Sequence, residues 1–264
     1  MKSIAGKVVW ITGASSGIGE ALAYAFAKEG AFLVLSARNV DKLEQIKEKC
    51  IEYTSKCIVQ QVDLLDVDHF ENVVSTVYEQ VGEVDILVNN AGRSQRSWAV
   101  ETPVENDRQI MELNFFAVIS LTKLVLPKMV EKKSGHIVVV SSITGKFGFP
   151  MRTAYSASKH ALQGYFEALR AELTNSNIKV TIVSPGRIQT NISLNALTET
   201  GEAYKKMDDG QANGMDAGIC ARKIVNAVKK EKKDILVGGK ELLMVYIRHF
   251  LPALFYKLST KIKN

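Results

Sequence analysis

The stretch from residue 8 to residue 30 constrains this chain more than any other. Val8–Thr12 is a short run, apolar up to its last residue, suited to a strand that is buried on both faces. Thr12-Gly13-Ala14-Ser15-Ser16-Gly17-Ile18-Gly19 follows, and Gly17–Lys28 then carries Ala, Leu and Phe at helical spacing, closed by Gly30. A strand that turns through glycines straight into a helix opens a crossover unit. The helix must carry the chain back along the sheet before the next strand can lie parallel to the first.

The alternation continues. Further strands are predicted at 32–37, 57–62, 84–88, 136–140, 180–183 and 234–237, with helices from Asp41, from Asp66, and at 103–132, 153–174 and 216–229. Ile137-Val138-Val139-Val140 is typical of these strands: a continuous apolar run, as required when helices cover both faces of a sheet. The fold class is therefore α/β: a single, doubly wound domain whose parallel sheet has about seven strands, with helices on both faces. The expected division is a catalytic body at 1–238 and a helical extension at 239–264. Between 190 and 215 the apolar periodicity lapses, and a mobile flap is expected there.

Composition narrows the function. Hydrophobic residues make up 46% of the 264, so the chain can bury a substantial core, and no low-complexity tract or internal repeat interrupts it. The net charge of +6 is concentrated at the end: residues 221–264 carry eleven Lys/Arg and three Asp/Glu, +8, leaving −2 for the rest. No nucleic-acid reading motif accompanies that patch. Cys50, Cys57 and Cys220 form no Cys-x-x-Cys pair, and their odd number speaks for a reducing compartment. The first apolar strand, of only about six residues, is too short for a signal h-region or a spanning helix, which needs about 20 residues. A chain that is cytoplasmic, or peripheral on the cytoplasmic face of a membrane, and not secreted is the expectation.

The glycine turn sits where backbone N–H groups and a helix dipole can receive a pyrophosphate. Gly13 permits the turn, Gly17 the close approach of phosphates, and Gly19 the packing of the helix. The same glycines could serve a tight turn alone, but their place between buried strand and amphipathic helix favours a dinucleotide. No Gly-Lys-Ser/Thr follows, which excludes a phosphate-transfer loop. The second strand ends Ser36-Ala37-Arg38, where an NAD-preferring site would present an acid to the ribose 2′-OH. Arg38 can instead pair with a 2′-phosphate, so NADP(H) is expected over NAD(H), although an arginine at a strand end can also be merely solvated. Asp63, after the third strand, can accept from an adenine amino group or serve as a turn acid.

Four further signals fall at predicted strand ends or on the helices that follow. Asn89-Asn90-Ala91-Gly92 follows the fourth strand, Asn114 lies in the next helix, Ser142 ends the fifth strand, and Tyr155 stands one turn before Lys159. Ligands of open parallel sheets bind outside the carboxyl ends of the strands, so these residues can share one crevice. A tyrosine has an ordinary pKa of about 10, and a nearby cation favours its phenolate. Lys159 can supply that charge from the same helix face, while Ser142 can donate to a substrate oxygen. Tyr24 and Lys28 repeat the spacing, but Ile11 stands where a serine partner would be needed.

Taken in order, Thr-Gly-x-x-x-Gly-x-Gly, Asn-Asn-Ala-Gly, the serine, Tyr-x-x-x-Lys, and Pro185-Gly186 leading to Thr190 resemble a short-chain dehydrogenase/reductase of the classical, NADP-dependent subgroup. The resemblance covers residues 7 to about 192. It implies a Rossmann domain in a homodimer or homotetramer, acting on a small carbonyl or alcohol. It maps Asn114, Ser142, Tyr155 and Lys159 onto the catalytic tetrad, with Asn114 supporting a water relay to Lys159. Asn89 falls on the site that steadies the central strand and cofactor pocket, and Thr190 on the contact to the nicotinamide carboxamide. The expected cofactor contacts are Gly13, Ser15, Ser16, Gly17, Ile18, Gly19, Arg38, Asp63, Asn90, Ala91, Gly92, Tyr155, Lys159, Pro185, Gly186 and Thr190. Ser-Ala-Arg and the extended C-terminus further resemble the hydroxysteroid-dehydrogenase-like branch, often membrane-associated, which handles steroids, retinoids and related carbonyls.

Ser142, Phe147, Phe149 and Tyr155 are the candidate substrate residues. Arg93 to Trp98 and Leu194, Leu197, Tyr204 and Met207 are expected to complete a lipophilic cleft. The tail is apolar at helical spacing with a break expected at Pro252. It can pack on its own domain or a partner subunit, lie at a membrane surface with Lys257, Lys261 and Lys263 on its polar face, or be poorly ordered. No metal-ligand spacing is found; His249 has no second ligand near it. The alternative to an oxidoreductase is a non-catalytic dinucleotide-binding regulatory protein or a membrane-surface interaction protein.

Overall fold

Five consecutive buried residues make β1, Val8–Thr12, the centre of a sheet. The computed structural model describes residues 3–260. In it β1 is flanked by β2 (Phe32–Ala37) and then β3 (Cys57–Gln61) on one side. On the other side lie β4 (Ile86–Asn89), β5 (Gly135–Val140), β6 (Ile178–Pro185) and β7 (Asp234–Val237). Every pairing in this order, β3-β2-β1-β4-β5-β6-β7, is parallel. This is a single Rossmann-like α/β domain.

Side chains alternate across a strand, so β1 feeds two cores at once. Val9 and Ile11 face α1 (Gly17–Lys28), α2 (Val40–Cys50) and α8 (Ala217–Lys229), packing with Leu22, Phe26, Leu43 and Ile224. Val8 and Trp10 face the opposite layer, α3 (Phe70–Val81), α5 (Ala117–Glu131) and α6 (Thr153–Glu172), packing with Phe70, Leu121, Val125 and Phe166. Each such fully buried side chain stabilises the fold by about 1.5–3 kcal/mol before entropy is counted. The Trp10 indole N–H donates to Ser36 Oγ at 2.8 Å, so even this central tryptophan leaves no polar atom unpaired.

Where the elements differ from the sequence expectation, a local interaction explains it. β4 starts at Ile86 because the carboxylate of Asp85 accepts from Val8 N at 3.0 Å, closing the strand entrance. The long helix at 103–132 is divided into α4 (Val104–Met111) and α5 by one π-helical turn, Glu112–Phe116. Val104–Glu131 is long and apolar enough to span a bilayer by composition, yet Ala117, Val118, Leu121, Val125 and Met129 are core residues. The segment at 190–215, expected as a mobile flap, holds the short α7 (Asp209–Ala212). It is stitched down by Arg96 N to Leu197 O and Leu197 N to Ser94 O, both 2.8 Å.

The tail forms α9 (Leu243–Phe250) and α10 (Pro252–Ser259), broken at Leu251 just before the proline. Phe255 is buried against Ile143 and Phe147, so one side of the tail packs on its own domain. The other side leaves Leu243, Tyr246, Phe250 and Leu251 exposed. Lys261 and Lys263 lie outside the described residues.

His136 on β5 is fully buried, and its Nε2 lies 2.8 Å from Thr181 Oγ1. Thr181 Oγ1 itself donates to the Lys232 carbonyl, so the imidazole donates from Nε2 while Nδ1 has no partner among the described residues. Burial pushes the His136 pKa down to about 4. A base with a depressed folded pKa contributes stability that is whole above its ordinary value of about 6.5 and is lost as pH falls towards the folded value. Between pH 7 and pH 5 the native protein should lose about 2 kcal/mol more than His136→Gln. Denaturant unfolding of both at each pH measures this; parallel losses would refute it.

Candidate active site

The carboxyl ends of β1, β2, β4, β5 and β6 open onto one cavity of about 590 Å³. Its floor is the glycine turn between β1 and α1. Gly13 and Gly17 have φ of +64° and +59°, a conformation open to glycine at little cost. A Cβ on Gly13 would lie 2.8 Å from Ala91 Cα, and one on Gly17 would press on the Thr190 side chain at 3.0 Å. Gly19 faces away from the cavity; a Cβ there would run into the Gly13 carbonyl oxygen. Ser15, Ser16 and Ile18 line the cavity.

Thr12 and Asn90 clamp the β1 and β4 loops together. Asn90 Nδ2 donates to the carbonyls of Thr12 and Gly13 at 3.1 and 3.2 Å, and Thr12 Oγ1 accepts from Asn90 N at 3.1 Å. Asn89, expected to steady the strand and pocket, points the other way and donates to Thr122 Oγ1 in α5 at 3.0 Å. Consecutive residues leaving a strand face opposite sides, so only one asparagine can reach the loop.

Arg38 and Asp63 line the end of the cavity beside β2 and β3. Asp63 Oδ1 also accepts from Leu65 N at 3.0 Å, so it braces its own turn. Ala91, Gly92, Pro185, Gly186 and Thr190 complete the walls. Gly186 is pressed against Glu241 from the tail, whose Oε1 accepts from Arg187 N at 2.8 Å and Gly239 N at 2.9 Å. The extension therefore secures a wall of the cavity, a role that its apolar pattern did not signal.

Tyr155 and Lys159 occupy the first turns of α6. That helix has no side-chain cap of its own; Gln95 supplies one, its Oε1 accepting from Ala154 N at 2.9 Å and Tyr155 N at 3.3 Å. Lys159 Nζ donates to the Val140 carbonyl at 3.0 Å and lies 5.8 Å from the Tyr155 ring centre. Ser142 stands at the end of β5, its Oγ accepting from Thr144 N at 3.1 Å. Asn114 lies in the π-helical turn, with Oδ1 accepting from Arg93 N at 2.8 Å and Nδ2 donating to Arg93 O at 2.9 Å and Ser158 Oγ at 3.0 Å. It braces the β4 loop from behind, where π-bulges often serve functional sites. By contrast, Tyr24 lies on α1 and donates to Glu20 at 2.9 Å.

Burial holds the Tyr155 phenol above its ordinary pKa, while a hydrogen bond with Ser142 and the charges of Arg96 and Arg152 act in the opposite direction. Lys159 is expected to be the cation beside the phenol, and Arg96 and Arg152 add their charges to that field. Burial alone lowers the Lys159 pKa to about 8.

The far end of the cavity departs from the expected lipophilic cleft. Phe149 lines it, but Phe147 is buried in the cluster with Ile143 and Phe255 and does not. Leu197 is packed with Ile110 and Ala154, Trp98 is exposed on the surface, and Leu194, Tyr204 and Met207 are not among the lining residues. Arg96, Arg152, Asn195 and Asp208 line the cavity, as do Ile110, Leu113, Ile192 and Ala203. The loop that carries Arg93 to Trp98 turns its polar members inward because Gln95 and Arg96 find buried partners.

A Rossmann sheet with a glycine cradle at its switch point defines a dinucleotide-dependent protein. Comparison with known proteins resolves the class further: residues 7–200 match the family model described as short chain dehydrogenase. Over 256 residues the chain is 44% identical to Dehydrogenase/reductase SDR family member 7B of Mus musculus, covering 95% of this chain and 79% of that protein. The fold aligns at a TM-score of 0.85 and 24% identity with a short chain dehydrogenase/reductase from Burkholderia phymatum in complex with NAD, covering 96% of both chains. An alcohol dehydrogenase from Thermococcus sibiricus, complexed with 5-hydroxy-NADP, aligns at 0.75 and 25% identity over 89% of this chain and 97% of that one. The chain belongs to the short-chain dehydrogenase family, whose members are oxidoreductases that bind a nicotinamide dinucleotide. The residues here fit that group: Gly13 and Gly17 leave room that side chains would fill, and Arg38 stands at the rim.

Proposed function

We propose that this chain transfers hydride between NADP(H) and a carbonyl/secondary-alcohol pair, with Tyr155 as the proton donor in reduction and acceptor in oxidation. The observation that carries the reading is the convergence of the Tyr155 phenol, the Ser142 hydroxyl and the Lys159 ammonium on the cavity that also holds the glycine turn. The alternative of a non-catalytic binding protein gives no account of a tyrosine buried beside that hydroxyl and those cations.

Ser142 would orient the substrate oxygen, and the phenol beside it would pass the proton. A phenol kept above its ordinary pKa by burial is protonated at neutral pH, the form that carbonyl reduction requires. Lys159, held by the Val140 carbonyl, would bind the nicotinamide ribose, and Asn114 would position the loop at Arg93 and support proton supply through water. Gly13, Ser15, Ser16, Gly17 and Ile18 would cradle the pyrophosphate, with Asn90, Ala91 and Gly92 closing one wall and Pro185, Gly186 and Thr190 the other. The nicotinamide supplies or accepts the hydride when bound. Arg38 supports the choice of NADP(H): a guanidinium pairs with a phosphate dianion far better than with a hydroxyl.

A second reading concerns location. The exposed Leu243, Tyr246, Phe250 and Leu251 lie on a tail with Arg248 and Lys257, which supports docking on an anionic membrane surface.

Reduction of a panel of ketones and aldehydes with NADPH tests the chemistry, and Tyr155→Phe should lower kcat by about 100-fold or more. Undiminished turnover in that variant would end the proposed mechanism. Arg38→Ala should reduce the NADPH-over-NADH ratio of kcat/KM by about tenfold; an unchanged ratio would count against the 2′-phosphate contact. For the tail, flotation with phosphatidylserine vesicles should recover the native protein and lose Phe250→Asp; equal recovery would refute the docking.

A further inference from the structure

A buried hydroxyl on the wall of the cavity has no part in the proton and hydride steps. Thr144 belongs to the short helical turn Ile143–Gly145 that follows Ser142, and it is 5% exposed. It lines the cavity together with Ser142, Phe149 and Tyr155. Its backbone N–H donates to Ser142 Oγ at 3.1 Å, yet its own Oγ1 is buried with no hydrogen-bond partner among the described residues. Buried hydroxyls are ordinarily paired, and leaving one unpaired is unfavourable.

The turn is not free to swing this hydroxyl away. A Cβ on Gly145 would lie 2.6 Å from the Lys159 carbonyl oxygen, so the turn is pressed against α6. The neighbouring hydroxyl of Ser141 is spent inside the fold, donating to the Lys159 carbonyl and accepting from Gln163 Nε2, both at 3.0 Å. Burial is the main influence on the Tyr155 phenol and holds its pKa above the ordinary value. Ser142, Arg96, Arg152 and, last, Thr144 act against it, which places Thr144 Oγ1 beside the phenol without a hydrogen bond to it. Ser142 and Thr144 thus stand together at the point where the reacting oxygen is received. A carbonyl oxygen accepts through two lone pairs. Ser142 and Tyr155 fill both, so a third donor has no place on that oxygen.

We propose that Thr144 is a specificity-determining residue that bonds a second oxygen, hydroxyl or oxo, on the carbon next to the reacting carbonyl. A threonine hydroxyl both donates and accepts, so either group suits it. The inference rests on the oxidoreductase reading above and narrows its substrate to α-hydroxyketones and vicinal dicarbonyl compounds. A ketone without the second oxygen leaves the hydroxyl unpaired in the complex, and is the poorer substrate for that reason.

The experiment compares kcat/KM at saturating NADPH for acetoin and diacetyl, each against butanone. One hydrogen bond to the second oxygen predicts a preference of about tenfold or more for acetoin over butanone. Thr144→Val, which puts a methyl group in place of the hydroxyl, should bring that ratio close to one, and Thr144→Ser should keep it. Diacetyl is the more electrophilic carbonyl in any site, so its preference over butanone should shrink by about tenfold in Thr144→Val. Equal ratios in the native protein and Thr144→Val overturn the proposal, as does an equal slowing of all three substrates, the mark of a hydroxyl that only tunes the phenol. Denaturant unfolding without ligands adds a readout that a structural role would move the other way. Thr144→Val should be no less stable than the native protein, because an unpaired hydroxyl is lost; a loss of stability would reveal a partner within the fold and overturn the proposal. Turnover of ketones with no preference for the second oxygen refutes the role of Thr144 and leaves the oxidoreductase reading intact. If no ketone is turned over, calorimetry of the NADPH complex decides: tighter binding of acetoin than butanone, lost in Thr144→Val, keeps the role and refutes that reading, and equal binding refutes both.

Discussion

Where β1 pairs with β4, Val9, Trp10 and Ile11 lie beside Ile86, Leu87 and Val88, and the chain that had wound outward to β3 begins to wind the other way. Connections leaving neighbouring strands there depart to opposite faces, so a crevice must open between them at the carboxyl edge. Loops leaving the carboxyl ends of the strands make most of the cavity wall, and Tyr155 and Lys159 of α6 complete it. Thr12 and Asn90 bond the two sides of the crevice directly, and Gly13 against Ala91 sets how closely the sides approach. Without parallel pairing in this order the glycine turn, Ser142 and Tyr155 would have no common space.

The second organising force is electrostatic. Lys159, Arg96 and Arg152 are cations carried into an interior where an unpaired charge is unfavourable. The fold meets this with specific partners: the Val140 carbonyl for Lys159, and Asp208 with backbone and hydroxyl oxygens for Arg96. Arg96 and Arg152 are thereby held near the Tyr155 phenol, where their charges oppose the effect of its burial. The tail joins this scheme through Glu241 and Phe255, which brace the β6 and β5 loops.

Much of the fold was legible before any coordinates. The bounds of β1 and β2 agree with the expectation, because strands buried on both faces read as nearly continuous apolar runs. The glycine loop and the pair Tyr155 with Lys159 were legible because each is a local spacing, a turn of chain or of helix. Other residues gave no such signal. Gln95 caps α6 from 58 residues upstream of its first residue's hydrogen-bonding hydroxyl, Thr153, and Asp208 meets Arg96 from 112 residues away. Phe147 was misplaced at the substrate because an aromatic residue near a site looks the same whether it lines the cavity or packs beneath it.

The sequence by itself determined the class of architecture, the cofactor loop and the family, since each is written in short-range order: apolar period, glycine position, motif succession. Only the tertiary structure decided which asparagine clamps the loops, that Arg96 and Arg152 stand near Tyr155, and that Phe147 packs beneath the cavity and does not line it. Those outcomes depend on through-space contacts between loops far apart in the chain. Charge and burial act through distance in space, and a linear pattern does not encode that distance until the sheet has brought the loops together.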